Sequence, residues 1–108
     1  MIKIENNNIT IVKKDTAAIT IQLDNYQLGA GDVVRFTVAA ELESPNPLIS
    51  KTISDFEVDG SCIISLTTED TNLDADTYYY DVQVNLADGR VDTIIGPAKF
   101  KIVEGVTV

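Results

Sequence analysis

The chain contains no histidine, no tryptophan and one cysteine, and it has only 8 basic residues against 17 acidic ones. Each shortage removes something. Without histidine, the commonest general base and the commonest metal ligand are both missing. Cys62 alone permits no intramolecular disulfide and no thiolate metal cage. A net charge of -9 denies the cations that displace counterions from a nucleic acid, and it disfavours an anionic membrane surface for the same reason. No apolar run is long enough for membrane insertion. The opening Met1-Ile2-Lys3-Ile4-Glu5 has no apolar stretch of the kind a signal peptide needs, so the expectation is cytoplasmic synthesis. Glycine-rich phosphate loops, nucleophile elbows and zinc spacings are not found either.

What the chain does have is a period of two. Ile19, Ile21 and Leu23 alternate with Thr20 and Gln22. Val34, Phe36, Val38 and Ala40 alternate with Arg35, Thr37 and Ala39. Tyr78, Tyr80, Val82, Val84 and Leu86 alternate with Tyr79, Asp81, Gln83 and Asn85. Such alternation sends one set of side chains to a core and the other to solvent, the pattern of half-buried strands. Seven strands are expected, at about 9–13, 17–23, 33–40, 48–53, 61–67, 77–86 and 91–102, with a short extra piece at 2–5 and a short helical turn within 70–76. With 108 residues there is room for one domain, spanning 1–108. Folding would hide roughly two-thirds of the extended chain's surface, enough for one core. The expected fold is an all-β, immunoglobulin-like antiparallel sandwich without a disulfide.

Turn chemistry separates the runs. Gly31 sits in Gly29-Ala30-Gly31-Asp32, and Pro45-Asn46-Pro47 forbids a continuous strand in mid-chain. Asp59-Gly60 and Asp88-Gly89 carry the dipeptide of a type I′ hairpin turn. A two-residue loop at Asp88-Gly89 would pair Leu86 with Val91, Val84 with Thr93 and Val82 with Ile95, apolar face to apolar face. Asn85 with Asp92 and Gln83 with Ile94 would point outward. To bring Phe100 and Ile102 inward, one extra residue is needed near Gly96-Pro97, so a bulge is expected there. Lys99 and Lys101 would then face solvent on an edge strand. At Asp59-Gly60 the same register fails, placing Glu57 opposite Cys62, so either that loop is longer or the strand before it is irregular.

Candidate chemistry is sparse. Cys62 is in step with Ile64 and Leu66 and reads as a small buried apolar side chain. Asp74 and Asp76 lie two apart beside Glu69-Asp70, but without histidine or an apolar pocket they read as turn formers. Asp55 to Gly60 imitates the opening of a calcium loop, yet the twelfth loop position falls on Leu66 rather than a glutamate. The expectation is a chain with no enzymatic activity and no cofactor or metal.

Leu73-Asp74-Ala75-Asp76-Thr77-Tyr78-Tyr79-Tyr80 resembles the Asp-x-Ala/Gly-x-Tyr-x-Cys segment that opens strand F of immunoglobulin domains. The resemblance implies that Tyr78 is a corner tyrosine bonded back to the upstream turn, that Asp74 takes the aspartate's place, and that Tyr80 stands where the disulfide cysteine would be. A wider resemblance runs through Ile19 to Leu23, Leu28 to Val38, Leu66 to Thr71, Thr77 to Val84, Leu86 to Val91 and Phe100 to Ile102. It is to the small immunoglobulin-like domains of phage and prophage tail and baseplate proteins, such as the N-terminal domain of siphophage upper baseplate proteins. It implies a virion structural role, with docking on tail components or self-association.

An interface reading follows from the outward side chains. If strands 33–40, 77–86 and 91–95 share a sheet, its outer face carries Val33, Arg35, Tyr79 and Ile94, and Tyr and Arg are common anchors. Gly31 and Gly89, with Tyr78 and Asp74, are assigned structural roles. The other classes weighed are a carbohydrate-binding or host-surface adhesion module and a small acidic inhibitor.

Overall fold

The computed structural model describes residues 3–43 and 46–106. Eight strands form two sheets, with no helix among the described residues. They are β1 (Lys3–Glu5), β2 (Asn8–Val12), β3 (Ala17–Ile21), β4 (Val33–Ala39), β5 (Ile49–Ile53), β6 (Cys62–Leu66), β7 (Asp76–Asn85) and β8 (Val91–Val103). The larger sheet has the order β1-β2-β8-β7-β4-β5, and β3 with β6 forms the smaller one. All pairs but one are antiparallel. The exception corrects the expectation of a wholly antiparallel fold: β2 runs parallel to β8, Ile9 opposite Phe100 and Ile11 opposite Ile102.

Alternation decides the core, as the period of two requires. On β4, Val34, Phe36 and Val38 are fully buried while Arg35 between them is exposed. Tyr78, Tyr80, Val82 and Val84 face inward from β7, Ile9 and Ile11 from β2, and Phe100 and Ile102 from β8. Ile19 and Ile21 of β3 and Cys62, Ile64 and Leu66 of β6 close over them, so both sheets share one core. At its centre the rings of Phe36, Tyr80 and Phe100 meet with centroids 5.5 to 6.3 Å apart. Each fully buried side chain of this kind stabilises the fold by about 1.5–3 kcal/mol. Burial also raises the Cys62 thiol pKa, which keeps it in the unreactive form.

The bulge at Gly96-Pro97 is present. Tyr80 faces Ala98 and Val82 faces Ile95, so two residues of β8 oppose Asp81 alone. Gly96 has φ +107 there, and the Gly96-Pro97 bond is cis. A Cβ on Gly96 would lie 2.7 Å from the Tyr80 carbonyl oxygen, so only glycine fits. Phe100 and Ile102 turn inward as expected, and Lys99 and Lys101 are exposed. These lysines do not lie on an edge strand, however, because β2 covers that part of β8.

The hairpin register departs by one residue. Asn85 pairs with Val91, Val84 with Asp92 and Gln83 with Thr93, and Ile94 is a second extra residue before Ile95 returns to Val82. Val91, expected inside, is 56% exposed. The cause is the turn. Gly89 donates its N–H to the Leu86 carbonyl and Leu86 donates to the Arg90 carbonyl. Gly89 has positive φ and Asp88 does not. This is a type I turn closed by a glycine bulge, a three-residue loop rather than a type I′ pair. Asp59-Gly60 repeats it, with Gly60 donating to Glu57 and Glu57 to Ser61. That longer loop explains why a two-residue register failed there.

Other differences are small. β3 ends at Ile21, and Leu23 forms an isolated bridge with Tyr26. The helical turn expected within 70–76 lies earlier and is single: Thr71 donates to the Thr67 carbonyl and Asn72 to that of Glu69. The extra piece at 2–5 appears as β1, with Ile2 outside the described residues, as is Pro45.

Candidate interaction surface

β4, β7 and the first part of β8 do share a sheet, and Val33, Arg35 and Tyr79 stand on its outer face. They do not form one patch. Val33 pairs with Asn85 and Arg35 with Gln83, whereas Tyr79 pairs with Ala39 six residues further along β4. At 3.3–3.4 Å per residue, Tyr79 and Val33 are about 20 Å apart. Ile94 is not with them at all. As the extra residue of its bulge it leaves the outer row and packs against the core, lining a cleft of about 320 Å³ with Ile21 and Leu23.

Around Tyr79 the outer face is concave. A depression of about 520 Å³ is lined by Thr37 and Ala39 of β4, Tyr79, Tyr80 and Asp81 of β7, Glu41, Leu42 and Glu43 of the loop after β4, and Pro97 of the bulge. The register explains the floor, since Thr37 lies opposite Asp81 and Ala39 opposite Tyr79. The walls come from irregular chain. One is the loop in which Glu43 adopts φ +60, and the other is the displaced Gly96-Pro97 segment. Leu42, 57% exposed, adds apolar surface to the hollow. None of Glu41, Glu43 or Asp81 has an ion-pair partner among the described residues. Lys99 lies opposite Tyr79 in the ladder and likewise has no ion-pair partner among the described residues.

Sequence reasoning picked out Tyr79 but missed the rest of this depression. Only the exposed Leu42 between two glutamates marked it, and that signal is weak in a loop.

The residues assigned structural roles are placed as follows. Tyr78 has a buried ring, and its hydroxyl donates to the Asp74 carbonyl at 2.6 Å. Desolvation and the nearby carboxylates of Asp74 and Asp76 raise its pKa. Asp74 acts through its backbone, and its side chain is exposed. Tyr80 donates its hydroxyl to the Asn7 carbonyl, tying β7 to the β1–β2 turn. Gly31 and Gly89 both have positive φ. Beside Gly31 is the polar centre the sequence did not mark: Asp32, almost fully buried, accepts from Ala87 N–H, Gly29 N–H and Tyr26 Oη.

Some carboxylates elsewhere are occupied, while others, such as those of Asp55, Glu57 and Asp92, have no partner among the described residues. Asp70 accepts from Lys51 at 2.7 Å and from Thr67 N–H, and Asp59 accepts from the Ser61 hydroxyl and N–H. Among the described residues there is no group of three or more potential metal ligands. No helix among them is long and apolar enough to cross a membrane. Comparison of the chain with protein-family models, curated proteins and solved structures returns no match.

Proposed function

We propose that the chain is a non-enzymatic, immunoglobulin-like structural module of a phage or prophage tail or baseplate, working by protein–protein docking through the outer face of its larger sheet. The observation that carries the docking reading is the depression at Tyr79. It is a concave surface with an exposed leucine, a half-buried tyrosine and carboxylates unpaired among the described residues, whose buried side-chain polar atoms all have hydrogen-bond partners. Binding residues on irregular segments held by a rigid sheet are a common arrangement.

The fold reading is supported by strand order. β4, β7 and β8 sit together as strands C, F and G do, β3 and β6 sit together as B and E do, and the Tyr78 hydroxyl bond falls at the start of β7. The tail assignment rests on the sequence resemblance alone. A glycan-binding surface would present several rings around one hollow, and here only Tyr79 turns its ring outward while Tyr80 faces the core.

Tail particles purified from an induced culture of the source strain test this reading. Quantitative mass spectrometry is expected to find the chain at a fixed ratio to the tail-tube protein across a density gradient. Recovery only in the soluble fraction would overturn it.

A further inference from the structure

The depression's chemistry identifies what it would hold. We propose that it is a socket for an arginine side chain carried, with apolar neighbours, on an extended segment of a protein partner; this rests on the docking reading above. Three observations converge. First, the size fits: about 520 Å³ lies within the roughly 300–1,000 Å³ range of clefts that bury a ligand group. Second, the lining is divided. Leu42, Ala39 and Pro97 offer apolar surface for an aliphatic stem, while Glu41, Glu43 and Asp81 offer acceptors and no basic residue lines the hollow. Third, Tyr79 lines the same hollow with an aromatic side chain, half-buried and on a backbone position held by pairing to Ala39 and Lys99.

A guanidinium uses all three at once. Its flat face stacks on an aromatic ring, its forked N–H groups match a carboxylate, and its three methylenes pack on apolar surface. A lysine ammonium would satisfy the charge but not the planar contact. Charge complementarity also argues against a second copy as the occupant. Each copy carries -9, so two copies repel before their faces meet, whereas a basic partner is steered in.

The test uses the whole chain and the peptide acetyl-Gly-Leu-Arg-Leu-Gly-amide, followed by amide chemical shifts. A matched peptide has citrulline, a neutral isostere, in place of arginine. Saturable shifts are expected at Thr37, Ala39, Leu42, Tyr79 and Asp81, and the citrulline peptide should bind at least about tenfold more weakly. Asp81→Asn and Tyr79→Ala should each weaken binding about fivefold, the size of one partly exposed charge or cation–π contact. Asp92→Asn removes an exposed charge elsewhere and should leave binding unchanged.

The socket is overturned if no shifts saturate at millimolar peptide. It is equally overturned if shifts spread over the acidic surface, or if Asp92→Asn costs as much as Asp81→Asn. Incorporation into tails separates the two readings. If an Asp81→Lys chain enters particles as the parent does, docking stands and the socket falls. If neither chain enters particles, the tail reading falls and the peptide titration alone decides the socket.

Discussion

The Asp32 carboxylate ties three parts of the chain together. Its Oδ1 accepts from Ala87 N–H at 2.8 Å, and its Oδ2 accepts from Gly29 N–H at 3.0 Å and from the Tyr26 hydroxyl at 2.9 Å. Ala87 belongs to the distant β7–β8 hairpin, and Gly31 exists where it does because a Cβ there would meet the Ala87 Cβ at 2.8 Å. The Ala87 and Gly29 N–H groups hold the Asp32 pKa below its ordinary value, although burial works the other way. Asp59 is lowered by the Ser61 hydroxyl and N–H, and Asp88 by the Arg90 N–H. A folded-state pKa below the unfolded value means stability that is complete above about pH 5 and lost as pH falls through the folded value. The thermal midpoint is therefore expected to fall between pH 7 and pH 3. Asp32→Asn should lower the midpoint by several degrees at pH 7, where an amide hydrogen would face a backbone N–H, and should flatten the acid drop. Unchanged midpoints at both pH values would show that the carboxylate carries no such role. Tyr78→Phe, which removes the bond to the Asp74 carbonyl and nothing else, should cost about 1 kcal/mol in urea unfolding.

Among the elements, the two Asp-Gly turns form a natural comparison. They share one backbone form, yet a Cβ on Gly89 meets nothing within 4 Å, while one on Gly60 would lie 2.6 Å from the Gln27 Cβ. Gly89→Ala should cost about 1–2 kcal/mol for the left-handed conformation alone. Gly60→Ala should cost clearly more, because Gln27 must also move; equal losses in parallel urea titrations would refute the difference. The strands themselves were legible, because alternation such as Val34, Phe36 and Val38 against Arg35 is a local signal that burial enforces. The turn type was not, since Asp-Gly serves both turn forms and one residue of loop length separates them. Nor was the β2–β8 pairing, because Asn8 and Lys99 lie 91 residues apart and nothing local in either names the other. The depression stayed hidden for a related reason: its floor follows from alternation, but its walls at Glu41 to Glu43 and Pro97 belong to irregular chain with no period to read. Asp32 escaped notice because its partners are mostly backbone groups, which carry no residue identity.

On the scale of the whole molecule, charge and shape act together. The extents are 44 × 29 × 24 Å, so -9 is confined within a body whose short axes match the Debye length of about 30 Å at 10 mM salt. At 150 mM that length falls to about 8 Å and most of the self-repulsion is screened. The thermal midpoint at pH 7 should accordingly rise between 10 and about 150 mM sodium chloride, and a flat or falling midpoint would count against a repulsive surface. The parallel pairing of β2 with β8 has a further consequence during synthesis. A ribosome delivers β1 and β2 first and β8 after the other described strands, so β2 has β1 on one side but nothing on the other until Phe100 and Ile102 emerge. That side of β2 therefore stays open while β3 to β7 are made, and the larger sheet closes only once β8 has left the ribosome.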